Sequence, residues 1–294
     1  MTSSLTDVAG LFNVLPDAVI VVDGSGHIAY ANAAVSRLLL YTSDELLGQP
    51  LGTLIPEHFR TQHEKDFVKF RENGQPGPMS ARPILYALGK LGREIPVSIS
   101  IANIELNGGR FSVAVLRDAA AMRDQLRAAI VQAETDVLTG LGNRLHLENC
   151  MRAALASRRP FALLFLDLRH FKQFNDQHGH HVGDEVLRLV AKRIQSLVRA
   201  HDVAARYGGD EFVILLDLVS HPALVAARSS AIVDSIGQPF NIGGASASVG
   251  VNVGAAIHPH DGTTVPSLLD VADRNMYLAK QQSRPYVIGK EASS

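Results

Sequence analysis

Cysteine is nearly absent from this chain: Cys150 is the only one in 294 residues. No intrachain disulfide can form, and a reducing compartment fits. Charge of either sign is not in excess. The formal net charge of -1 supplies no basic field, so no nucleic-acid partner is expected. Long apolar runs are missing too. The longest, such as residues 161–166, are far too short to span a bilayer, and no membrane partner is expected. Residues 1–7 lack the basic start and apolar core of a signal peptide, so the expected location is cytoplasmic. No Walker A loop, EF-hand or Rossmann glycine pattern occurs. What is present is a 46% hydrophobic and 19% charged composition, that of a globular chain long enough for two domains.

Residues 8–118 alternate short apolar runs with turns. Residues 18–22 and 27–31 read as strands around the turn Asp23-Gly24-Ser25-Gly26. Asn32 is placed as the N-cap of a helix over residues 33–40. A polar stretch covers residues 42–77. Residues 83–88, 95–101 and 111–116 then read as three successive antiparallel strands. The expectation is a five-stranded antiparallel sheet with short helices between its second and third strands. Glycine and proline vanish over residues 119–135, which predicts a helical linker. Its Met122, Leu126, Ala129 and Ala133 recur with coiled-coil spacing. They predict a homodimer seam, with a lone linker helix as the alternative.

Beyond Asp136 the pattern changes. Residues 145–157, 184–199, 223–236 and 265–280 read as helices, residues 161–166 and 247–257 as strands, and Gly243-Gly244-Ala245 as a turn. This alternation predicts an α/β layer. A hairpin is expected at Gly208-Gly209, between the apolar runs 203–205 and 212–216. Its tip carries Asp210 and Glu211. Glycine lets backbone approach a ligand closely, and two ionised acids suit Mg²⁺ against a nucleotide phosphate. An ordinary hairpin with solvated acids is the alternative. Asp167 ends the strand before it, where α/β sheets place ligands. Lys172 offers a cation for phosphate. Asn175 and Asp184 suit guanine: the carboxylate accepts from N1–H and the 2-amino group, and the amide pairs with the O6/N7 edge. Lys280 and Arg284, four residues apart, are placed on one helix face as a triphosphate clamp.

Six segments occur in an order that resembles one known family. They are Asp136-Val137-Leu138-Thr139-Gly140-Leu141-Gly142-Asn143-Arg144, Phe171-Lys172-Gln173-Phe174-Asn175-Asp176, Gly179-His180, Gly183-Asp184, Arg206-Tyr207-Gly208-Gly209-Asp210-Glu211-Phe212, and Ala272-Asp273-Arg274-Asn275-Met276-Tyr277-Leu278-Ala279-Lys280. They are similar to the signposts of GGDEF-type diguanylate cyclases, over residues 135–290. The resemblance implies a nucleotidyl-cyclase-like α/β domain that condenses two GTP into 3′,5′-cyclic diguanylate (c-di-GMP) and two pyrophosphates. It implies Mg²⁺ or Mn²⁺ held by Asp167, Asp210 and the Leu168 carbonyl, with Glu211 near the attacking 3′-hydroxyl or a second metal. Asn175 and Asp184 would read guanine. Lys172, Lys280, Arg284 and the amides of His170 and Phe171 would hold phosphates.

Arg199-Ala200-His201-Asp202 resembles the family's RxxD site, where c-di-GMP binds as product and allosteric inhibitor through Arg199 and Asp202. A helix-terminal Arg with an exposed Asp is the alternative. Two departures stand out. Arg169 occupies the place of a usual second Asp, which implies either weaker metal binding by repulsion or pairing with another acid. Ser283-Arg284-Pro285 replaces the common Gly-Arg-Asn. A domain that binds nucleotide without turnover is the rival reading, and a mixed purine dinucleotide product is another, disfavoured by Asp184. No phosphodiesterase domain is expected after Ile288.

Asp23, Gly26, Ile28, Asn32, Asp44-Glu45-Leu46-Leu47-Gly48 and Leu116-Arg117-Asp118 resemble a PAS domain over residues 8–118. Such domains sense ligands or cofactors, or only dimerise. Ala120 and Lys90-Leu91-Gly92 depart from the usual PAS motifs. Cys150 lies outside this segment, which excludes a flavin photoreceptor built on a PAS cysteine. Residues 55–63 resemble the segment that carries the proximal histidine of haem-binding PAS domains. His63 is thus a candidate haem ligand, against a surface or capping histidine or a contact to another small ligand. The expected organisation is a PAS sensor over 8–118, a helical coiled-coil linker over 119–135 and a cyclase domain over 136–290.

Overall fold

The structure is a computed structural model that describes residues 5–73, 77–78, 84–106, 108–242 and 245–289. The chain divides into two compact units, residues 1–129 and 130–294. Among the described residues no helix is long and apolar enough to cross a membrane.

In the first unit, helix α1 (Leu5–Asn13) precedes the hairpin of β1 (Ala18–Val22) and β2 (Ile28–Ala31). Helices α2 (Ala34–Leu39) and α3 (Ser43–Leu46), a 3₁₀ turn (Leu51–Leu54) and α4 (Glu57–Asn73) follow. The chain returns through β3 (Gly77–Pro78), β4 (Leu85–Leu88), β5 (Glu94–Leu106) and β6 (Gly109–Asp118). The antiparallel sheet runs β2-β1-β6-β5, with both β4 and β3 paired to β5. It is the expected five-stranded sheet with one added two-residue strand. Ile20, Val22, Val97 and Leu116 pack one face of it against Val35, Leu39 and Leu46 of the helices.

Two expectations for this unit need correction. The polar stretch is not only short helices, because α4 runs for 17 residues. Asn32 is not an N-cap: α2 begins after Ala33 without a side-chain cap. Instead Asn32 is fully buried, accepting from the Val19 amide and donating to the carbonyls of Phe12 and Asp17. A buried amide that meets three backbone groups is worth more there than at a helix end. Residue 83 lies outside the described residues.

Helix α5 (Ala120–Glu134) fills the linker and buries none of its side chains. Met122 and Leu126 are each about half exposed, as are Ile130 and Val131. An apolar stripe uncovered along a helix is short of a partner.

The second unit is built on a five-stranded sheet. Helix α6 (Arg144–Ala156) starts at Asn143, whose side chain accepts from the His146 amide. Next come β7 (Phe161–Arg169), α7 (Phe171–His178), α8 (His180–Leu197), β8 (Val203–Gly208), β9 (Glu211–Asp217) and α9 (Pro222–Gly237). After the short pair β10 (Phe240–Ile242) and β11 (Ala245–Ala247) follow β12 (Gly250–His258), α10 (Val265–Gln281) and β13 (Tyr286–Ile288). Residues 243 and 244 of the expected turn lie outside the described residues. The strand order is β13-β12-β7-β9-β8, antiparallel except for β12 with β13. Alternation along the strands gives two cores. Leu164, Leu166 and Leu168 face Val186, Val190 and Ile194 of α8. Leu163 and Phe165 face Leu147 and Met151 of α6 and Ala272 and Met276 of α10.

Several sequence readings shift here. The strand 247–257 is split, with β12 starting only at Gly250. β7 continues to Arg169, so Asp167 lies within the strand rather than at its end. Phe171–His178 is a helix, and α8 begins at His180, not 184. Gly179, at φ 83, breaks the chain between them.

Candidate active site

The DxLTGLxNR loop and the glycine hairpin are one unit of structure. Asp136 accepts from the Thr139 amide and hydroxyl, at 2.9 and 2.6 Å. Its carboxylate also meets the Arg206 guanidinium at 3.4 Å. Burial would raise the Asp136 pKa, but the Thr139 and Arg206 contacts outweigh it and lower it below the ordinary carboxylate value. Arg206 in turn donates two hydrogen bonds to the Gly209 carbonyl, at 2.9 and 2.8 Å. The guanidinium therefore ties the loop to the hairpin tip. The two-residue turn is Gly209-Asp210, one residue later than the sequence suggests, because Gly208 pairs with Glu211. Gly209 takes φ 47, the left-handed conformation a primed turn demands.

Register sets the acids. Glu211 opens β9 directly opposite Asp167 on β7. Directly opposed residues share a sheet face, so both carboxylates point to the α6/α10 side. Asp210 stands beside them on the turn, and its carbonyl accepts from the Leu168 amide at 3.3 Å. Helix α10 delivers Lys280, whose Nζ lies 2.8 Å from Asp167 Oδ2. Gly254 and Asn275 place that helix. A Cβ on Gly254 would run into the α10 backbone, so helix and strand meet there without side chains between them. Asn275 is buried and donates to the carbonyls of Ala255 and Gly289, both at 2.8 Å.

The electrostatics follow from this crowding. Burial, with the negative charge of Asp167 added, raises the Asp210 pKa above its ordinary value. Glu211 is raised by burial and by Asp167, Asp273 and Asp210. Lys280 is raised, first by its hydrogen bond to Asp167. Asp273 on α10 is raised by burial and by Asp270 and Asp167. Its role in the acid field was missed in the sequence, although its spacing of seven from Lys280 puts both on one helix face. Among the described residues no three His, Cys, Asp or Glu side chains are gathered tightly enough to hold a metal ion alone. Mg²⁺ commonly takes one or two carboxylates and completes its shell with water and substrate phosphates. Asp167 and Asp210 fit that donor set.

The base-reading candidates lie on the other face. Asn175 is in α7 and Asp184 in the first turns of α8, over the core that holds Phe171. Gly183 is fixed by Asn175: a Cβ there would collide with the amide oxygen and lie 2.9 Å from its carbon. That oxygen, Oδ1, is buried and receives no hydrogen bond. An acceptor left unfilled in a native fold calls for a ligand or a water. His170 is the N-cap of α7 at φ 58, and Lys172 is exposed in its first turn.

Arg284 departs from expectation. It is not on the helix face of Lys280, because α10 ends at Gln281. Ser283 turns left-handed at φ 55, Arg284 N donates to Ala279 O and Ser283 N to Lys280 O. This is a Schellman closure, and Pro285 cannot continue the helix. In the Arg199–Asp202 segment, Arg199 is exposed. Asp202 accepts from the Arg199 and Asp217 amides, at 2.9 and 3.1 Å, and so fastens the α8–β8 loop.

In the first unit, His63 on α4 lines a cleft of about 530 Å³ with Arg60, Phe67, Pro50, Ile55 and Gly26. Burial lowers the His63 pKa below the ordinary imidazole value, against the pull of Asp66 and Glu64. Its ring stacks on Phe67 with centroids 6.2 Å apart.

A glycine-tipped hairpin with adjoining acids, a lysine on the facing helix and an amide–carboxylate pair on the opposite layer define a nucleotide-handling α/β domain. The comparisons agree. The diguanylate cyclase GGDEF domain family matches residues 133–285, and the PAS domain family matches residues 16–121. The chain belongs to the PAS–GGDEF diguanylate cyclase family. It is similar to an uncharacterized signaling protein of Caulobacter vibrioides, 33% identical over 96% of this chain and 34% of that one. It also resembles MucR of Pseudomonas aeruginosa, named a bifunctional diguanylate cyclase/cyclic di-GMP phosphodiesterase, at 37% identity over 71% of this chain and 30% of that one. Among solved structures, the coiled coil and GGDEF domain of DgcB from Caulobacter crescentus, in complex with c-di-GMP, matches with TM-score 0.51 and 28% identity. That match covers 57% of this chain and 91% of the DgcB chain. The chain spans about a third of the length of these two curated relatives.

Proposed function

We propose that this chain condenses two GTP into c-di-GMP and releases two pyrophosphates. The observation that carries the reading is the opposed pair Asp167 and Glu211, with Asp210 on the adjoining turn and Lys280 already in contact with Asp167. Asp167, Asp210 and the Leu168 carbonyl would hold Mg²⁺ or Mn²⁺. When bound, the ion would neutralise the triphosphate and lower the pKa of the attacking 3′-hydroxyl. Glu211, whose pKa burial and the charges of Asp167, Asp273 and Asp210 raise, would take that proton. Lys172, Lys280, Arg284 and the amides of His170 and Phe171 bind phosphates. Asn175 and Asp184 select guanine. Each cyclase domain holds one GTP, so two copies must meet, and the uncovered stripe of α5 supports a homodimer. The PAS domain tunes that meeting, with a small ligand or haem at the His63 cleft as its candidate signal. Product binds at Arg199 and Asp202 and limits turnover.

The test is Asp210→Ala, assayed with GTP and Mg²⁺ by quantifying the cyclic dinucleotide. Loss of at least a thousandfold in kcat is expected, about 4 kcal/mol at 1.4 kcal/mol per tenfold. Turnover near the wild-type rate in this variant would refute the assignment.

A further inference from the structure

Arg169 is the site residue that the family resemblance leaves unexplained. It closes β7 two residues beyond Asp167, so the two side chains leave the same face of the sheet. Gly250 lies directly opposite it on β12. The guanidinium rests across that glycine, where a Cβ would come within 2.7 Å of Cζ and Nη2. β12 flanks β7 on the side away from β9, so Arg169 turns away from the hairpin that carries Asp210 and Glu211. Repulsion of a cation that those acids would hold is thereby reduced. Among the described residues the exposed Arg169 makes no hydrogen bond and no ion pair. The next residues add donors of their own. The backbone passes through His170 into α7, whose opening amides receive no side-chain cap. A seated, unpaired guanidinium beside an uncapped helix start is complementary to an anion.

We propose that Arg169 is a substrate-binding residue that grips the terminal phosphates of the nucleoside triphosphate, the portion that leaves as pyrophosphate. The inference rests on the GTP reading given above and names a contact within it. The direction of the side chain selects the phosphate. Asp210 and Glu211 mark the reacting end, and Arg169 points to the opposite side of β7. The phosphates farthest from the reacting centre are the ones within its reach. A planar fork can hold such a group through two parallel hydrogen bonds.

Calorimetric titration of the full chain tests this, with guanosine 5′-[α,β-methylene]triphosphate, which cannot expel pyrophosphate, and with GMP. Arg169→Ala should weaken the triphosphate analogue by about ten- to hundredfold. GMP affinity should stay unchanged. Arg169→Gln, which keeps most of the stem, should show the same contrast if the shorter variant folds poorly. Equal weakening of both ligands would overturn the proposal in favour of a structural role, and unchanged triphosphate affinity would overturn it outright. A wild-type chain that binds neither ligand would instead refute the GTP reading.

Discussion

Substituting Gly183 by alanine isolates the proposed base-reading corner from the rest of the site. The new methyl would collide with Asn175 Oδ1, and would lie 2.9 Å from its Cγ and 3.3 Å from Phe171 Cζ. Phe171 is core and cannot yield, so the Asn175 amide must swing away by on the order of 1 Å. Stability should change little. Alanine favours the helix by about 1 kcal/mol over glycine, which offsets most of the local crowding. Binding should change a good deal. A displaced amide forfeits a hydrogen bond worth about 1–1.5 kcal/mol and leaves a polar edge of the base unpaired, so affinity falls by about ten- to fiftyfold. The assay is calorimetric titration with the same unreactive GTP analogue, beside thermal unfolding of the same samples. Discrimination against the adenosine analogue should shrink in parallel. If Gly183→Ala binds the guanosine ligand as tightly as the wild type, Asn175 does not read the base.

Three further expectations concern stability and protonation. Arg193 on α8 donates to the carbonyls of Ser235, Ile236, Gln238 and Pro239 and lies 3.5 Å over the Phe240 ring, so Arg193→Ala should cost about 3 kcal/mol; a denaturation midpoint unmoved for the second unit would contradict this. Ser283→Gly removes the left-handed strain at the end of α10 and should stabilise by about 1 kcal/mol, read by the same denaturation. His63 should titrate below the ordinary imidazole value of about 6.5 in an NMR pH series. Its folded pKa is depressed, so the unfolded chain takes the proton first: stability is full above about pH 6.5 and declines as pH falls towards the folded pKa. An unshifted titration would place His63 at the open surface. Added haem that produces a Soret band in the wild type but not in His63→Ala would identify iron as its ligand.

Much of the architecture is legible because hydrophobic period carries it. β1 begins and ends where its apolar run does, and α5 follows the stretch without glycine or proline to within a residue. The misreadings have local causes. α7, Phe-Lys-Gln-Phe-Asn-Asp-Gln-His, is short and mostly polar, and its packing through Phe171 and Phe174 supports it as a helix. Asn32 resembles a cap by position, but tertiary burial claims its amide. Arg284 sits at helical spacing from Lys280, yet the serine before it reverses the chain. For the candidate site, the sequence offers residue types but not their partners. Nothing in one strand shows that Lys280 meets Asp167 across 113 positions, or that Asp273 adds to the field of Glu211.

The contact between Lys280 and Asp167 also bears on the order in which the site fills. On the proposed reading, an ammonium already occupies the carboxylate that a divalent ion would need. A bare ion arriving alone would have to displace that ammonium from Asp167, with no phosphate at hand to receive it. An ion arriving on a nucleotide would bring polyphosphate with it, and Lys280 could pair with that phosphate as Asp167 became free to hold the ion. The swap conserves pairing at every stage, and it favours the joint arrival of metal and nucleotide over either one first. On the proposed reading, Asp167 acts as an exchange seat: the empty domain is guarded against stray divalent cations by the same side chain that later receives its substrate.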